Sequence, residues 1–414
     1  MEPIRINNYC FDRIHTWIQY DLRIPQFVEA VIEVFYPADC NAEGLVMFSH
    51  GFMIGYDLLY YPQKIVGAFT DNNPLFAINP SYFYNYTSSI VEQNWAMAFV
   101  AASHIQPGLP WTDIGGNPRV GQTAYAAASY LIKYGTTDDF FIGDEHNRGA
   151  SVFDEEAITK ARFMKPGHNN VIFAGHSVGG AHAQVAACGF QTLQEIGAQT
   201  NYHFNPVLYD REIMPFRAQR MEHWNEEDLA RPVGLLQLSP VDQKAPIIAP
   251  GMEPYRRALA AKQMPILMVV GDSDRACLDQ SKPPAWSKDS SKETQFSQLS
   301  PQGSNSWAVV ANVALGSHSG YLTEESELCG LADKDALQAD PSMYKAKGEE
   351  SLFTAELLKK FIQLCSSEGA FSGSYNDWIN SDCLQWLNNK NPYGSLDLVP
   401  FSGGSFIDYV GRLS

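Results

Sequence analysis

Four apolar residues, Val171-Ile172-Phe173-Ala174, run straight into Gly175-His176-Ser177-Val178-Gly179-Gly180, and no other stretch of the chain restricts its possible folds so far. An apolar strand, a glycine-flanked serine and then a small-residue segment (Ala181, Ala183, Ala186, Ala187) fit a buried parallel strand that turns sharply into a helix. The G-x-S-x-G spacing has a steric reason. At so tight a turn a Cβ at Gly175 or Gly179 would strike the neighbouring strand or helix, and glycine carries none. Ser177 is thereby lifted clear of the sheet. The helix beginning near Val178 directs its free N–H groups and positive end at the space above the hydroxyl, where a developing oxyanion is favoured. Five residues alone are equally compatible with a glycine-rich turn after any parallel strand. The strand before and the helix after are what argue for chemistry.

The same rhythm recurs along the chain. Leu45-Val46-Met47-Phe48 is a continuous apolar run that leads into Ser49-His50-Gly51-Phe52, and Trp95 to Ala102 is a second buried strand followed by a helical pattern over Val120 to Tyr134. Later come strands at 233–238, 265–270 and 307–315, a helix over 253–262 and a last helix over 351–365. Strands alternating with helices predict a mostly parallel sheet covered by helices on its faces. Phe27 to Tyr36, closed by Pro37, suits an antiparallel strand near the sheet's edge, with Glu29 and Glu33 marking its wet face.

Three segments interrupt the pattern. Residues 53–89 are rich in aromatics and either wall a pocket or form a satellite core. A polar insertion spans 135–170, with a helix expected over 154–163, and 191–231 carries few strand signals and reads as a lid. The tail, 366–414, has no clear period and is expected to lie along the surface of a single decorated domain spanning 1–365.

With 29 basic against 46 acidic residues the formal charge is −17, which argues against nucleic acid or an anionic membrane as partner and leaves a small molecule as the natural ligand. The seven cysteines are scattered without paired metal spacing. The first twenty residues mix charge with polar groups, unlike a signal peptide, and no stretch is long enough to span a bilayer. A cytoplasmic protein is expected. A secreted origin stays open if a leader precedes this sequence, and Asn85-Tyr86-Thr87 would then be a glycosylation sequon.

A serine hydroxyl is a poor nucleophile near neutral pH, so Ser177 needs a base within hydrogen-bond reach and that base an orienting acid, in the chain order serine, acid, histidine. Of the histidines after Ser177, His318 sits on a glycine-bounded loop, Gly316-Ser317-His318-Ser319-Gly320, after a late strand. His182 belongs to the serine's own helix, and His203 and His223 to an insertion. For the acid, Asp274 in Gly271-Asp272-Ser273-Asp274 is preferred, with Asp272 beside it and Asp242 after the preceding strand as alternatives. The oxyanion hole would be the amides of Val178 and Phe52. His50 and His176 read as packing residues.

On these pieces the chain resembles the α/β-hydrolases, in the branch that holds platelet-activating-factor acetylhydrolases, chlorophyllases, dienelactone hydrolases and cutinase-like polyester hydrolases. The matching residues are Val34-Phe35-Tyr36-Pro37, Phe48-Ser49-His50-Gly51-Phe52, Gly175 to Gly180, Ser239-Pro240-Val241-Asp242, Gly271 to Asp274 and Gly316-Ser317-His318. The resemblance implies an α/β-hydrolase fold with an eight-stranded, mostly parallel sheet, an acyl-enzyme mechanism on a carboxylic ester and no cofactor. It supports Ser177 and His318. In acetylhydrolases and chlorophyllases the acid follows the sixth strand, where this chain has Ser239, whereas cutinase-like relatives take it after the seventh, at the place of Asp274. Acyl transfer or thioester cleavage would use the same intermediate, and a binding protein that kept only the pocket is the rival from another class. An apolar or aromatic ester suits the aromatic stretch. The oligomeric state has no signature in the sequence.

Overall fold

The computed structural model describes residues 4–6, 9–49, 80–103, 118–136, 141–142, 159–160, 162–209, 219–240, 252–262, 264–271, 274, 308–313, 317–322, 343–366, 396–400 and 407–411. Five short runs set the sheet: β4 (Leu45–Ser49), β5 (Ala96–Ser103), β8 (Asn170–His176), β11 (Arg231–Leu238) and β12 (Ile266–Gly271). In each, successive side chains go to opposite faces. Leu45, Met47, Val171, Phe173, Ile266 and Met268 join one apolar core; Val46, Phe48, Ile172, Ala174, Leu267 and Val269 join the other. A strand buried on both sides favours a continuous apolar run, and the buried stretches of these five strands carry no Asp, Glu, Lys or Arg.

The helices divide between the two cores. On the first lie α2 (Pro118–Gly135), α3 (Val178–Ala186), α4 (Phe190–Gln199) and α5 (Glu253–Ala261), contributing for example Tyr125, Ala183, Leu193 and Tyr255. On the second lie the short α1 (Thr87–Val91) and α6 (Met343–Ser366), through Ile90, Leu358, Phe361 and Ile362. The remaining strands are β1 (Ile4–Ile6), β2 (Tyr9–Asp21), β3 (Ile24–Pro37), β6 (Phe141–Ile142), β7 (Thr159–Lys160), β9 (Val207–Tyr209), β10 (Gln219–Arg220), β13 (Ala308–Val313), β14 (Leu396–Pro400) and β15 (Ile407–Gly411).

Eight strands run across the sheet in the order β2-β3-β5-β4-β8-β11-β12-β13. The first three pair antiparallel and the rest parallel. Counted in chain order this is 1-2-4-3-5-6-7-8 with the second strand reversed, the layout of the α/β-hydrolase fold. Further strands lengthen both edges: β9 pairs with β2 and β10 with β9, while β15 lies parallel to β13 and carries β14. The tail therefore supplies sheet in its described residues, a contribution that its aperiodic sequence conceals. The described part of 191–231 forms β9 and β10 at the β2 edge, the helix α4 packed beside α5, and short 3-10 turns.

Several local expectations change. Phe27–Tyr36 is an interior part of β3, because the thirteen-residue β2 covers its outer side; that strand is masked in sequence by Asp12, Thr16 and Gln19, all buried. Glu33 does not face water. A 3-10 segment, Pro80–Tyr86, lies over that face, and the Tyr84 hydroxyl donates to Glu33 Oε2. In the described part of 154–163 no helix forms: Thr159–Lys160 pairs with Phe141–Ile142, and the next residue beyond the range, Met164, bridges to Ala42. Of the aromatic 53–89 segment, residues 53–79 lie outside the described residues, while Phe83 and Tyr86 belong to the second core. The Asn85 side-chain amide donates to Ser351 in α6, and Thr87 is buried, so the sequon is built into the fold.

Candidate active site

Parallel strands deliver their C-terminal ends to one edge, and the chain uses four of them there. Ser177 follows β8, Ser239 follows β11, Asp274 lies three residues beyond β12, and the loop 317–322 lies beyond β13. Ligand sites in open α/β sheets lie at this edge.

Ser177 has φ 57° and ψ −124°, a left-handed region that a side chain enters only at a cost of about 1–3 kcal/mol. The surroundings hold it there. Its N–H donates to Leu238 O at 2.9 Å, its carbonyl accepts from Gly180 N at 3.0 Å, and the hydroxyl does not cap α3. A Cβ at Gly175 would lie 2.0 Å from the Gly179 carbonyl oxygen, and one at Gly180 3.0 Å from Pro240 Cβ. The turn therefore closes on bare backbone. Gln237, buried on β11, donates its side-chain amide to Gly180 O at 3.0 Å and ties the first turn of α3 to the sheet. Val178 is the first residue of α3, where helix geometry leaves the N–H without an intrahelical acceptor.

Beyond β12 and β13 an ion-pair geometry appears. His318 Nδ1 stands 2.8 Å from Asp274 Oδ2, with the histidine 2% and the aspartate 0% exposed. A carboxylate at that nitrogen fixes the tautomer with the proton on Nδ1 and leaves Nε2 as the basic lone pair. Asp272 and Asp242, the alternative acids, and Phe52, the second expected amide, lie outside the described residues, as does His50.

Sequence reasoning missed the residues that fasten the His318 loop. His176, read as packing, is buried but also donates from Nε2 to His318 O at 2.8 Å, with ring centroids 4.7 Å apart. Its other neighbours are Phe83 at 5.4 Å and Tyr321 at 5.6 Å. Burial, reinforced by His318, pushes the His176 pKa down to about 3, so it is neutral near pH 7. The Tyr86 hydroxyl donates to Tyr321 O at 2.7 Å, and the Ser239 hydroxyl donates to Tyr321 Oη at 3.3 Å. Ser239 itself has φ 38°. The histidine inside the serine motif, Ser239 after its strand, and Tyr86 in the aromatic stretch are visible in the sequence, but nothing there says that they meet the His318 loop.

Among the described residues no group of three or more His, Cys, Asp or Glu side chains is arranged to hold a metal ion, and no helix is long and apolar enough to cross a membrane. Among the described residues Cys188 and Cys365 are free thiols, and burial raises the Cys188 thiol to about 12.

No family model and no curated protein matches the chain. Solved structures similar to it include a cold-adapted esterase from an Arctic intertidal metagenomic library, 10% identical over 82% of this chain and 97% of that one, with a TM-score of 0.37. An S-formylglutathione hydrolase from Agrobacterium tumefaciens is 10% identical over 84% and 99%, with a TM-score of 0.41. The esterase domain of a Rhodothermus marinus protein is 10% identical over 81% and 98%, with a TM-score of 0.33. Likeness this remote carries no argument about chemistry, and the fold assignment rests on strand order and direction.

Proposed function

We propose that the chain is a serine hydrolase that cleaves a carboxylic ester through an acyl-enzyme, with Ser177 as nucleophile, His318 as base and Asp274 as orienting acid. The observation that carries the reading is the buried 2.8 Å contact of His318 Nδ1 with Asp274, at the same sheet edge as a serine held at φ 57°. A histidine oriented by a carboxylate, at the same sheet edge as a strained serine, has a recognised use.

In this mechanism Ser177 Oγ attacks the ester carbonyl carbon while its proton passes to His318 Nε2. The electron pair of the C=O bond moves onto oxygen, and the amides of Val178 and Phe52 hold that oxyanion; one such donor contributes about 3–4 kcal/mol in related chemistry. Asp274 stabilises the imidazolium and is not itself protonated. His318 then gives its proton to the leaving alkoxide as the C–O bond breaks. Water then gives a proton to His318 Nε2 as it attacks the acyl carbon, and His318 returns that proton to Ser177 Oγ as the acyl C–Oγ bond breaks and the acid leaves. None of these steps draws on a cofactor, and the substrate proposed is a small-molecule ester with an apolar or aromatic part.

A fluorophosphonate tests this directly, because it captures only an activated serine. Labelling of the native chain, lost in Ser177→Ala with the fold retained by circular dichroism, is the expected result. A folded native chain that takes no label, or labels equally in Ser177→Ala, overturns the reading. Turnover of short p-nitrophenyl esters with and without an acceptor alcohol then separates hydrolysis from acyl transfer.

A further inference from the structure

We infer that His176, the residue immediately before Ser177, is a positioning residue that holds the His318 loop in register with the serine through its hydrogen bond to the His318 carbonyl. This rests on the acyl-enzyme reading of Ser177 and His318. Three observations combine. First, the acceptor is the backbone of the base itself: His176 Nε2 lies 2.8 Å from His318 O, while the side chain of His318 meets Asp274 at 2.8 Å. The base is thus fixed at its backbone from the serine turn and at its ring from the acid loop.

Second, the chemistry of His176 is unambiguous. A carbonyl oxygen only accepts, so Nε2 must carry the proton, and Nδ1 has no hydrogen-bond partner among the described residues. A buried ring nitrogen without a partner carries a desolvation penalty that nothing repays. Packing alone would be served by phenylalanine without that penalty, beside Phe83 and Tyr321. Histidine at this place is explained by the donor on its other side.

Third, neutrality matters here. His318 becomes cationic during the reaction with its ring centroid 4.7 Å from that of His176. Burial keeps His176 uncharged near pH 7, so the donor that holds the loop does not oppose the charge on the base. A lysine or arginine donor would oppose it.

The test uses the full chain and two substitutions that divide the donor from the ring. His176→Phe keeps an aromatic ring and removes the N–H; His176→Gln keeps an N–H at comparable reach and removes the ring. With His318 set loose by a fraction of an ångström to one ångström, His176→Phe is expected to lose about 10–100-fold in kcat and in the fluorophosphonate labelling rate, with KM changed by less than about threefold. His176→Gln is expected within about fivefold of the native rate. If His176→Phe folds and turns over at the native rate, or if His176→Gln is the more damaged of the two, ring packing positions the loop and the inference is wrong.

A measurement on the native chain guards against variants that fail to fold. In nitrogen-15 NMR with labelled histidine, His176 should show a protonated Nε2 and a bare Nδ1 at pH 7. The opposite tautomer or a cationic ring overturns the inference. Failure of the acyl-enzyme reading looks different: the native chain then takes no label at Ser177, whatever the tautomer of His176.

Discussion

Adding a single methyl group at Gly175 offers the sharpest test of how the serine turn is built. An alanine Cβ there would lie 2.0 Å from Gly179 O, 2.3 Å from Gly179 C and 2.8 Å from Gly180 N, all of them backbone. Ordinary contact begins at 3.4 Å, so the first turn of α3 must retreat by about 1.4 Å. No side-chain rotation relieves this. Gly180 is itself held by Gln237 and lies against Pro240, so the retreat also strains the tie to β11. Overpacking of this kind costs about 1–3 kcal/mol of stability. A displacement above one ångström at the amide of Val178 and the hydroxyl of Ser177 should lower kcat/KM by about 100-fold or more.

Gly234→Ala is the control. The three atoms nearest its Cβ would all be side-chain atoms, Cys365 Sγ at 2.8 Å, Phe361 at 3.2 Å and Ile172 at 3.3 Å, in the N-terminal half of β11. It should lower Tm and leave the rate per folded molecule unchanged. The assay is ester turnover and fluorophosphonate labelling normalised to folded protein, beside a thermal melt of each variant. A Gly175→Ala protein that melts and labels like the native chain would refute the argument that bare backbone closes this turn.

Two more outcomes follow from buried carboxylates. Asp274→Asn should keep the fold but lower kcat by about 10⁴-fold, since an amide no longer enforces the Nδ1–H tautomer of His318; a loss under tenfold, measured with a saturating p-nitrophenyl ester, would remove Asp274 from the proposed triad. Asp12, on β2, has its pKa raised from 3.8 to about 6, first by burial and partly offset by the hydrogen bond from the Tyr36 hydroxyl at 2.6 Å. The folded state then holds this proton where the unfolded chain has released it, so this group's contribution to stability falls as pH rises from about 4 to about 6 and stays low above. Asp12→Asn keeps an acceptor for Tyr36 and cannot ionise. It should therefore stabilise the chain by up to about 3 kcal/mol at pH 8 and by nothing comparable at pH 4, read from denaturant midpoints at the two pH values. A stability change independent of pH would refute the assignment.

How far the sequence reaches differs from element to element. The runs 45–48, 95–102, 171–174, 233–238 and 265–270 were readable because a strand buried on both faces admits little besides apolar residues, and the observed β4, β5, β8, β11 and β12 coincide with them. β2 was not readable, since Asp12, Thr16 and Gln19 are tolerated inside only by partners from distant parts of the chain: Tyr36 for Asp12, and Tyr209 for Thr16 and Gln19. Glu33 was misread for the same reason, because Tyr84, fifty-one positions away, meets it. β14 and β15 have a place only because β13 offers them an edge.

The candidate site divides along the same line. Local sterics in Gly175-His176-Ser177-Val178-Gly179 already dictate a sharp strand-to-helix turn, because the clash at Gly175 arises between residues four apart. The pairing of His318 with Asp274 spans forty-four positions, and the grip of His176 on the His318 carbonyl spans one hundred and forty-two. Distances of that kind are fixed by strand order and register, which place β8, β12 and β13 with their ends on one edge. Amino-acid type along the chain specifies which backbone shapes are affordable; only the packed sheet determines which of those shapes face one another.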